Sequence, residues 1–236
     1  SIFDTGARIV APFLWQKKIK TVDTLVLSHP NSDHLNGLIY IAEHFNVKNV
    51  WTNNESANTF GYKKFMEVIK KNKIHMPEYK EIVGTRHING VCIDIFYPQV
   101  DFIEKRKKET WRNLNNNSLV LKASFGAESF LFPGDIEIRA EYELAAIAGD
   151  KLKSTVLLAP HHGSKTSSTE RFIEKVDPEV IIISCGWKSR FGFPHPSVLK
   201  RYKEKGCRIL GTPRNGAVSM STDGQTLTIK PTIAGI

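Results

Sequence analysis

Cysteine is scarce in this chain of 236 residues: Cys92, Cys185 and Cys207 are odd in number and share no C-x-x-C spacing. That excludes a disulfide framework or a thiolate zinc cluster and leaves the three as small buried fillers. Long hydrophobic runs are also missing. No apolar stretch approaches the roughly 18 to 20 residues that a bilayer-spanning helix requires, and the N-terminus lacks the basic-then-apolar pattern of a secretion signal. The chain as given is therefore expected to be soluble. Repeats, low-complexity linkers and breaks in composition are absent, so a single folded unit over residues 1–236 is the default. The entry Ile2-Phe3-Asp4-Thr5-Gly6 resembles the end of a strand and its turn, as expected for a fragment of a longer protein.

Acidic side chains are in deficit: 33 Lys and Arg face 24 Asp and Glu, a formal net charge of +9. The excess suits a polyanionic partner, because Lys and Arg that neutralise phosphates release condensed counterions. A well-solvated surface accounts for the same number. Basic clusters fall at Lys17–Lys20, Lys63–Lys73, Lys105–Lys108 and Lys200–Lys205, and the second and fourth lie on expected amphipathic helices whose wet face they can form.

With 41% apolar residues the chain can bury a substantial core. Periodicity predicts helices over Leu38–Phe45, Tyr62–Lys73, Ile136–Ala148, Thr169–Val176 and Ser197–Lys205, the last with Ser197 as its N-cap. Strands are predicted at Val47–Trp51, Gly90–Tyr97, Ser118–Ser124 and Ser129–Phe132, the last two as a hairpin, with a closing hairpin over Ala217–Ile229 around Asp223-Gly224. Val100–Asn117, charged and then asparagine-rich, is expected to be an exposed loop. Strands interleaved with helices suggest either a four-layer αββα sandwich or a three-layer α/β fold.

Four β-favouring runs end in a histidine or a lone aspartate. Thr24–Ser28 leads into His29-Pro-Asn31-Ser-Asp33-His34, Ser129–Phe132 into Pro133-Gly134-Asp135, Val156–Leu158 into Pro160-His161-His162-Gly163-Ser164, and Val180–Ile183 into Pro194-His195-Pro196. Imidazoles and carboxylates gathered at strand ends build metal-hydrolase sites. The densest group is His29-x-Asn31-x-Asp33-His34. Asp135 can alternatively cap the helix that follows it. His161 and His162 point opposite ways if their backbone is extended, and His161 is the one expected in the pocket. Gly163, Ser164, Lys165 and Thr166 offer amides, hydroxyls and an ammonium suited to phosphate. Trp187, Lys188, Arg190, Phe191 and Phe193 interleave bases with aromatics, which suits either stacking on a single strand or packing against the fold's edge. His44, His75 and His87 are expected to be surface or packing residues.

His29–His34 resembles the H-x-[HD]-x-D-H signature of the metallo-β-lactamase fold hydrolases. Together with Asp4-Thr5-Gly6, Asn115–Leu121, Phe132–Ile136, Pro160–Ser167 and His195-Pro196, in that order, it resembles the metallo-β-lactamase-like domain of the ComEC DNA-uptake family over essentially the whole chain. The resemblance implies an αββα domain that hydrolyses DNA phosphodiester bonds, as a nuclease degrading the strand that is not imported. It further implies one or two divalent ions, Mn²⁺, Zn²⁺ or Mg²⁺. His29 and Asn31 would bind one ion, Asp33 and His34 the other, Asp135 would bridge, and His195 would complete the second site.

Asp33, His161, His162 and Lys165 are the expected catalytic groups, and Asn115, Asn117, Ser118, Ser164, Lys165, Trp187 and Arg190 the substrate contacts. Asn31 departs from the family's usual Asp, and Asn115, Asn117 and Ser118 lie where many relatives outside this subfamily supply a histidine. Both departures weaken the first metal position. Single-stranded DNA and a membrane-channel portion of the same protein are the implied partners. The implied location is the outer face of the cytoplasmic membrane, or the cytoplasm for a free-standing relative. A hydrolase of small phosphodiesters or esters, and a DNA-binding module without turnover, are the competing readings.

Overall fold

The computed structural model describes residues 3–234. Seven strands form a central sheet in sequential order: β3 (Gly84–Ile88), β4 (Val91–Tyr97), β5 (Val120–Phe125), β6 (Glu128–Phe132), β7 (Val156–Leu158), β8 (Val180–Ile183) and β9 (Arg208–Gly211). The first four run antiparallel, β3–β4 and β5–β6 through tight turns and β4–β5 through the long segment that follows Tyr97, whereas β6 to β9 are parallel, because helices connect them. Two smaller pieces accompany this sheet: the parallel pair β1 (Thr21–Val26) and β2 (Asn46–Trp51), and the hairpin β10 (Val218–Thr222) and β11 (Leu227–Pro231).

Alternation along the central strands sorts side chains to two faces. Val120, Leu131, Leu157, Ile181 and Ile183 pack against α6 (Ile138–Ala148), α7 (Glu170–Val176) and α8 (Pro196–Glu204). Their neighbours Phe130, Val156, Val180, Ile182 and Leu210 face the β10–β11 hairpin, and Ile95 and Leu119 meet Trp51 at the end of β2. On the far side of β1–β2, Leu25, Val47 and Val50 pack against α2 (Ser32–His44) and α3 (Phe60–Lys71). The result is the four-layer αββα sandwich, its second sheet divided between two two-stranded pieces. Among the described residues no helix is long and apolar enough to cross a membrane.

Local sequence explains the helices that matter to the site. In α3, Phe65, Val68 and Ile69 bury one stripe, and the Thr59 hydroxyl accepts a hydrogen bond from the Tyr62 amide as its N-cap. α2 is the element that aims the first histidine cluster. It starts at Ser32, six residues before the start that periodicity predicts, so Asp33 and His34 lie in its first turn. Asp33 there also suits the positive end of the helix dipole. Gly6 and Gly37 allow the N-terminal turn Gly6–Val10 to lie directly on α2: a Cβ on Gly6 would come within 2.1 Å of the Gly37 carbonyl oxygen.

Four expectations are corrected, and the strand β3 is not among those expected. The chain is already helical at Thr5–Gly6, where a strand end is expected, and Ile2 lies outside the described residues. β3, which pairs along β4, is too polar to show in the sequence pattern. Residues 100–117 are not an exposed loop: Phe102, Arg112, Asn116 and Asn117 are buried, and Phe102–Arg106 forms a helix, α5. α6 begins at Ile138 with Glu137 at its N-cap, which removes Asp135 from capping. In α8 the cap is the His195 imidazole, whose Nδ1 accepts from the Ser197 amide, so Ser197 is the capped residue.

Candidate metal centre

The loops that follow β1, β6 and β7 bring their polar residues to one place, as the carboxyl ends of strands do in α/β sheets. Asp135 is at the centre and buried. Four imidazoles face its carboxylate: His34 Nε2 lies 3.1 Å from Oδ1, while the Nε2 atoms of His162, His29 and His161 lie 3.7, 3.8 and 3.9 Å from Oδ2. Asp33 closes the open side, its Oδ2 3.6 Å from His162 Nε2.

Each ring is held from behind. The Ser28 hydroxyl lies 3.1 Å from His29 Nδ1 and 3.2 Å from His34 Nδ1. Ser118 Oγ is 3.1 Å from His29 Nδ1 and accepts the Asp135 amide at 3.0 Å. His162 Nδ1 lies 2.7 Å from the Ser184 carbonyl oxygen, to which only a protonated Nδ1 can bond, so the ring is fixed with its Nε2 turned to Asp33 and Asp135. Such support behind the ring is what orients metal-ligating imidazoles. Gly134 makes room for it: at φ +60° its absent Cβ would meet Ser118 Cβ at 2.7 Å.

The backbone at His161 and His162 is left-handed, not extended, with φ/ψ of 48°/43° and 56°/20°. Consecutive left-handed non-glycine residues cost roughly 1–2 kcal/mol each, and this turn is held by His161 N–H to the Gly134 carbonyl and Ser164 N–H to the His161 carbonyl. The strain turns both rings toward Asp135, so the expectation of one ring in and one ring out is corrected. Glu137, which the sequence did not single out, holds His161: its Oε1 is 3.5 Å from Nδ1 and accepts the Thr166 hydroxyl, and Asn116 brackets the other end. Phe193 covers the two rings at centroid distances of 5.6 and 6.2 Å.

The charges are mutually adjusted. Burial above all, with the neighbouring His34, holds the His29 imidazole down at about 4, hence neutral. The hydrogen bond from His162 keeps the Asp33 carboxyl well below the usual range. Burial works to raise Asp135, but the His34 hydrogen bond and the surrounding imidazoles overcome it and hold it low. Burial likewise opposes charge on His162, yet Asp33 and Asp135 push that ring upward.

Asp33, His34, Asp135 and His162 offer ligand atoms that all lie within 4.8 Å of one another, the one such group of His, Cys, Asp and Glu among the described residues. Two nitrogens and two carboxylate oxygens suit Zn²⁺ or Mn²⁺ better than an all-oxygen cage would. The buried His29 Nε2, 3.8 Å from Asp135 Oδ2, has no hydrogen-bond partner and lies outside that group. The residues present therefore fit a divalent ion.

The other expected residues fall into three groups. Asn31 and Asn115 are brought together, Asn31 Nδ2 donating to Asn115 Oδ1 at 2.6 Å. Asn117, Ser118 and Ser164 are buried and turned inward: Asn117 donates to the Glu55 carboxylate, Ser118 supports His29 and Asp135, and Ser164 shares its hydroxyl with Thr166. His195 is not in the four-residue group; its Nδ1 contacts Ser197. Lys165 is exposed, and so are Trp187 and Phe191, at 71% and 65%. Arg190 lies over the Phe191 ring at 4.8 Å. Both line an open groove of about 710 Å³ that runs from Asn31 and Asp33 to Phe60 and Lys64.

The metallo-beta-lactamase superfamily model matches residues 2–105. Over 224 residues the sequence is 29% identical to ComE operon protein 3 of Bacillus subtilis, covering 92% of this chain and 26% of that protein. It is 30% identical over 228 residues to competence protein ComA of Neisseria gonorrhoeae, covering 92% and 28%. Recombination protein 2 of Haemophilus influenzae is 28% identical over 214 residues, covering 90% and 24%. The chain thus spans about a quarter of the length of these curated relatives. Among solved structures, Igni18, a metallo hydrolase from Ignicoccus hospitalis, superposes with a TM-score of 0.48 at 12% identity, covering 91% of this chain and 82% of that one. CmlA, a diiron beta-hydroxylase from Streptomyces venezuelae, gives 0.46 at 13% identity, covering 80% and 43%.

Proposed function

Because this chain belongs to the metallo-beta-lactamase superfamily, we propose that it is a metal-dependent phosphodiesterase acting on single-stranded DNA. The observation that carries this reading is the grouping of Asp33, His34, Asp135 and His162 within 4.8 Å, with Asp33 also lining a groove that holds Arg190, Phe191 and Phe60. Carboxylates and imidazoles supply the ion; a guanidinium and aromatic rings suit a phosphate backbone with splayed bases. The similarity to competence proteins supports DNA arriving during uptake, with the strand that is not imported as substrate and the remainder of a longer chain as partner.

Asp33, His34, Asp135 and His162 would hold the ion. When bound, it supplies Lewis-acid polarisation of a phosphoryl oxygen and lowers the pKa of water. His34 and His162 present Nε2 because their Nδ1 atoms are engaged by Ser28 and Ser184. Asp135 gathers the imidazoles and balances positive charge. His161, its Nδ1 3.5 Å from the Glu137 carboxylate, turns Nε2 toward the site, from which it would pass a proton to the departing oxygen. Lys165, exposed just beyond His162, offers an ammonium to the charge that develops on phosphorus.

The test is degradation of a fluorescent single-stranded oligonucleotide with added Mn²⁺, Zn²⁺ or Mg²⁺, run on the wild type and Asp33→Ala. Metal-dependent cleavage that is lost in the variant is expected. Turnover confined to small phosphodiesters, or oligonucleotide binding without turnover, overturns the reading.

A further inference from the structure

Resting on the reading of a metal-dependent site, we infer that this chain holds a single divalent ion, on Asp33, His34, Asp135 and His162, and that the hydrogen-bonded amides of Asn31 and Asn115 take the place of a second. Three observations lead there. The four named residues are the one group of His, Cys, Asp and Glu among the described residues whose ligand atoms come within 4.8 Å of one another. A second ion, placed as the motif resemblance implies, would have His29 Nε2, a share of Asp135, and whatever Asn31 and Asn115 provide.

Those amides are committed to each other at 2.6 Å, across 84 positions of sequence. Whichever way the two are turned, one amide oxygen accepts the hydrogen bond, so the pair retains at most one undivided neutral oxygen for a cation. A divalent ion there would draw its only negative charge from a carboxylate it must share, a poor exchange for the water it sheds.

The third observation is His29. Its Nδ1 is within 3.1 Å of both the Ser28 and Ser118 hydroxyls, and its buried Nε2 has no partner and lies 3.8 Å from Asp135 Oδ2. The ring is a rigid acceptor beside the single ion, not the anchor of another. At position 31 itself the groove thereby presents a neutral amide, with Asp33, Asp4 and Glu43 as its acidic lining.

Equilibrium dialysis against Mn²⁺ with metal analysis, together with low-temperature electron paramagnetic resonance, reads the ion count without any nucleic acid. The wild type is expected to bind one Mn²⁺ and give a six-line mononuclear spectrum. The double variant Asn31→Asp/Asn115→His is expected to bind two and show exchange coupling. Two ions or none in the wild type overturns the inference, as does no gain in a double variant whose circular-dichroism melt matches the wild type. A wild type that binds one Mn²⁺ yet cleaves no DNA sinks the nuclease reading alone and leaves this one standing.

Discussion

Ser118 Oγ stands 3.1 Å from His29 Nδ1 while accepting the backbone amide of Asp135, so one hydroxyl ties the first strand's histidine to the sixth strand's aspartate. Ser118→Ala strips the Asp135 amide of its acceptor in a buried setting, which costs about 1–3 kcal/mol. It also leaves His29 with Ser28 alone behind it. Loss of an oxygen that orients a metal-site residue typically weakens metal affinity about 10- to 100-fold. Urea unfolding and Mn²⁺ titration of Ser118→Ala check both effects; Ser118→Thr, which keeps the hydroxyl, is expected to recover part of each.

Metal-free protein is expected to lose stability as the pH falls from 6.5 toward 4. Burial holds the His29 imidazole at about 4 in the fold, against an ordinary 6.5. Between those values the unfolded chain binds the extra proton, so stability is greatest above the window and falls within it, by on the order of 3 kcal/mol from this group. His162, pushed upward by Asp33 and Asp135, acts in the opposite sense, its contribution being lost as the pH rises through its folded value. Chelator-treated wild type and His29→Gln, unfolded in urea across this range, separate the two. The variant is expected to show the shallower fall, and parallel curves would count against a buried neutral His29.

Arg112 is buried under 2% exposure yet bonded to Glu109 at 2.7 Å, Glu143 at 2.6 Å and the Tyr97 hydroxyl at 3.1 Å. It fastens the segment before β5, and with it Asn115 to Ser118, onto α6 and β4. Arg112→Met keeps much of the volume but strands two partly buried carboxylates, for an expected loss of about 3 kcal/mol. The midpoint of thermal unfolding checks it. A secondary fall in Mn²⁺ affinity is also expected, because Ser118 follows this anchor in the chain.

The main helices and strands were legible because they rest on short-range signals, while the choice of a four-layer over a three-layer sandwich came from the family resemblance. Short continuous apolar runs such as Val180–Ile183 mark a buried strand, and period-3.6 stripes such as Phe65, Val68 and Ile69 mark a buried helix face, without reference to any partner. The gathering of His29, His34, Asp135 and the His161–His162 pair followed from their places after strands. What stayed hidden depended on long-range partners. Asn116 and Asn117 are polar and look solvated until Glu137 and Glu55 arrive from elsewhere in the chain. Glu137 resembles any acid at a helix start until His161 lies against it. The left-handed turn at His161 and His162 is the clearest case: nothing in the residue types favours φ above zero there, and only the contacts of Gly134 and Gly163 with the rest of the fold impose it.

Trp187 separates two roles that the sequence leaves open for its loop. With 71% of its surface exposed, its indole makes little contribution to packing, whereas Phe193 covers His161 and His162. Trp187→Ala and Phe191→Ala are therefore expected to leave the melting temperature close to wild type, since exposed substitutions cost within about 0.5 kcal/mol. Phe193→Ala is expected to lower it. Binding of a fluorescent poly-deoxythymidine 12-mer, measured by anisotropy with chelator present, should weaken for Trp187→Ala and Phe191→Ala by about 1–3 kcal/mol per lost stack. Arg190→Ala should weaken it in a salt-dependent manner, because that side chain meets phosphate instead of base. Unchanged affinity in all three would remove this loop from the nucleic-acid path and leave Phe60 and Lys64, across the groove, as the surface to examine next.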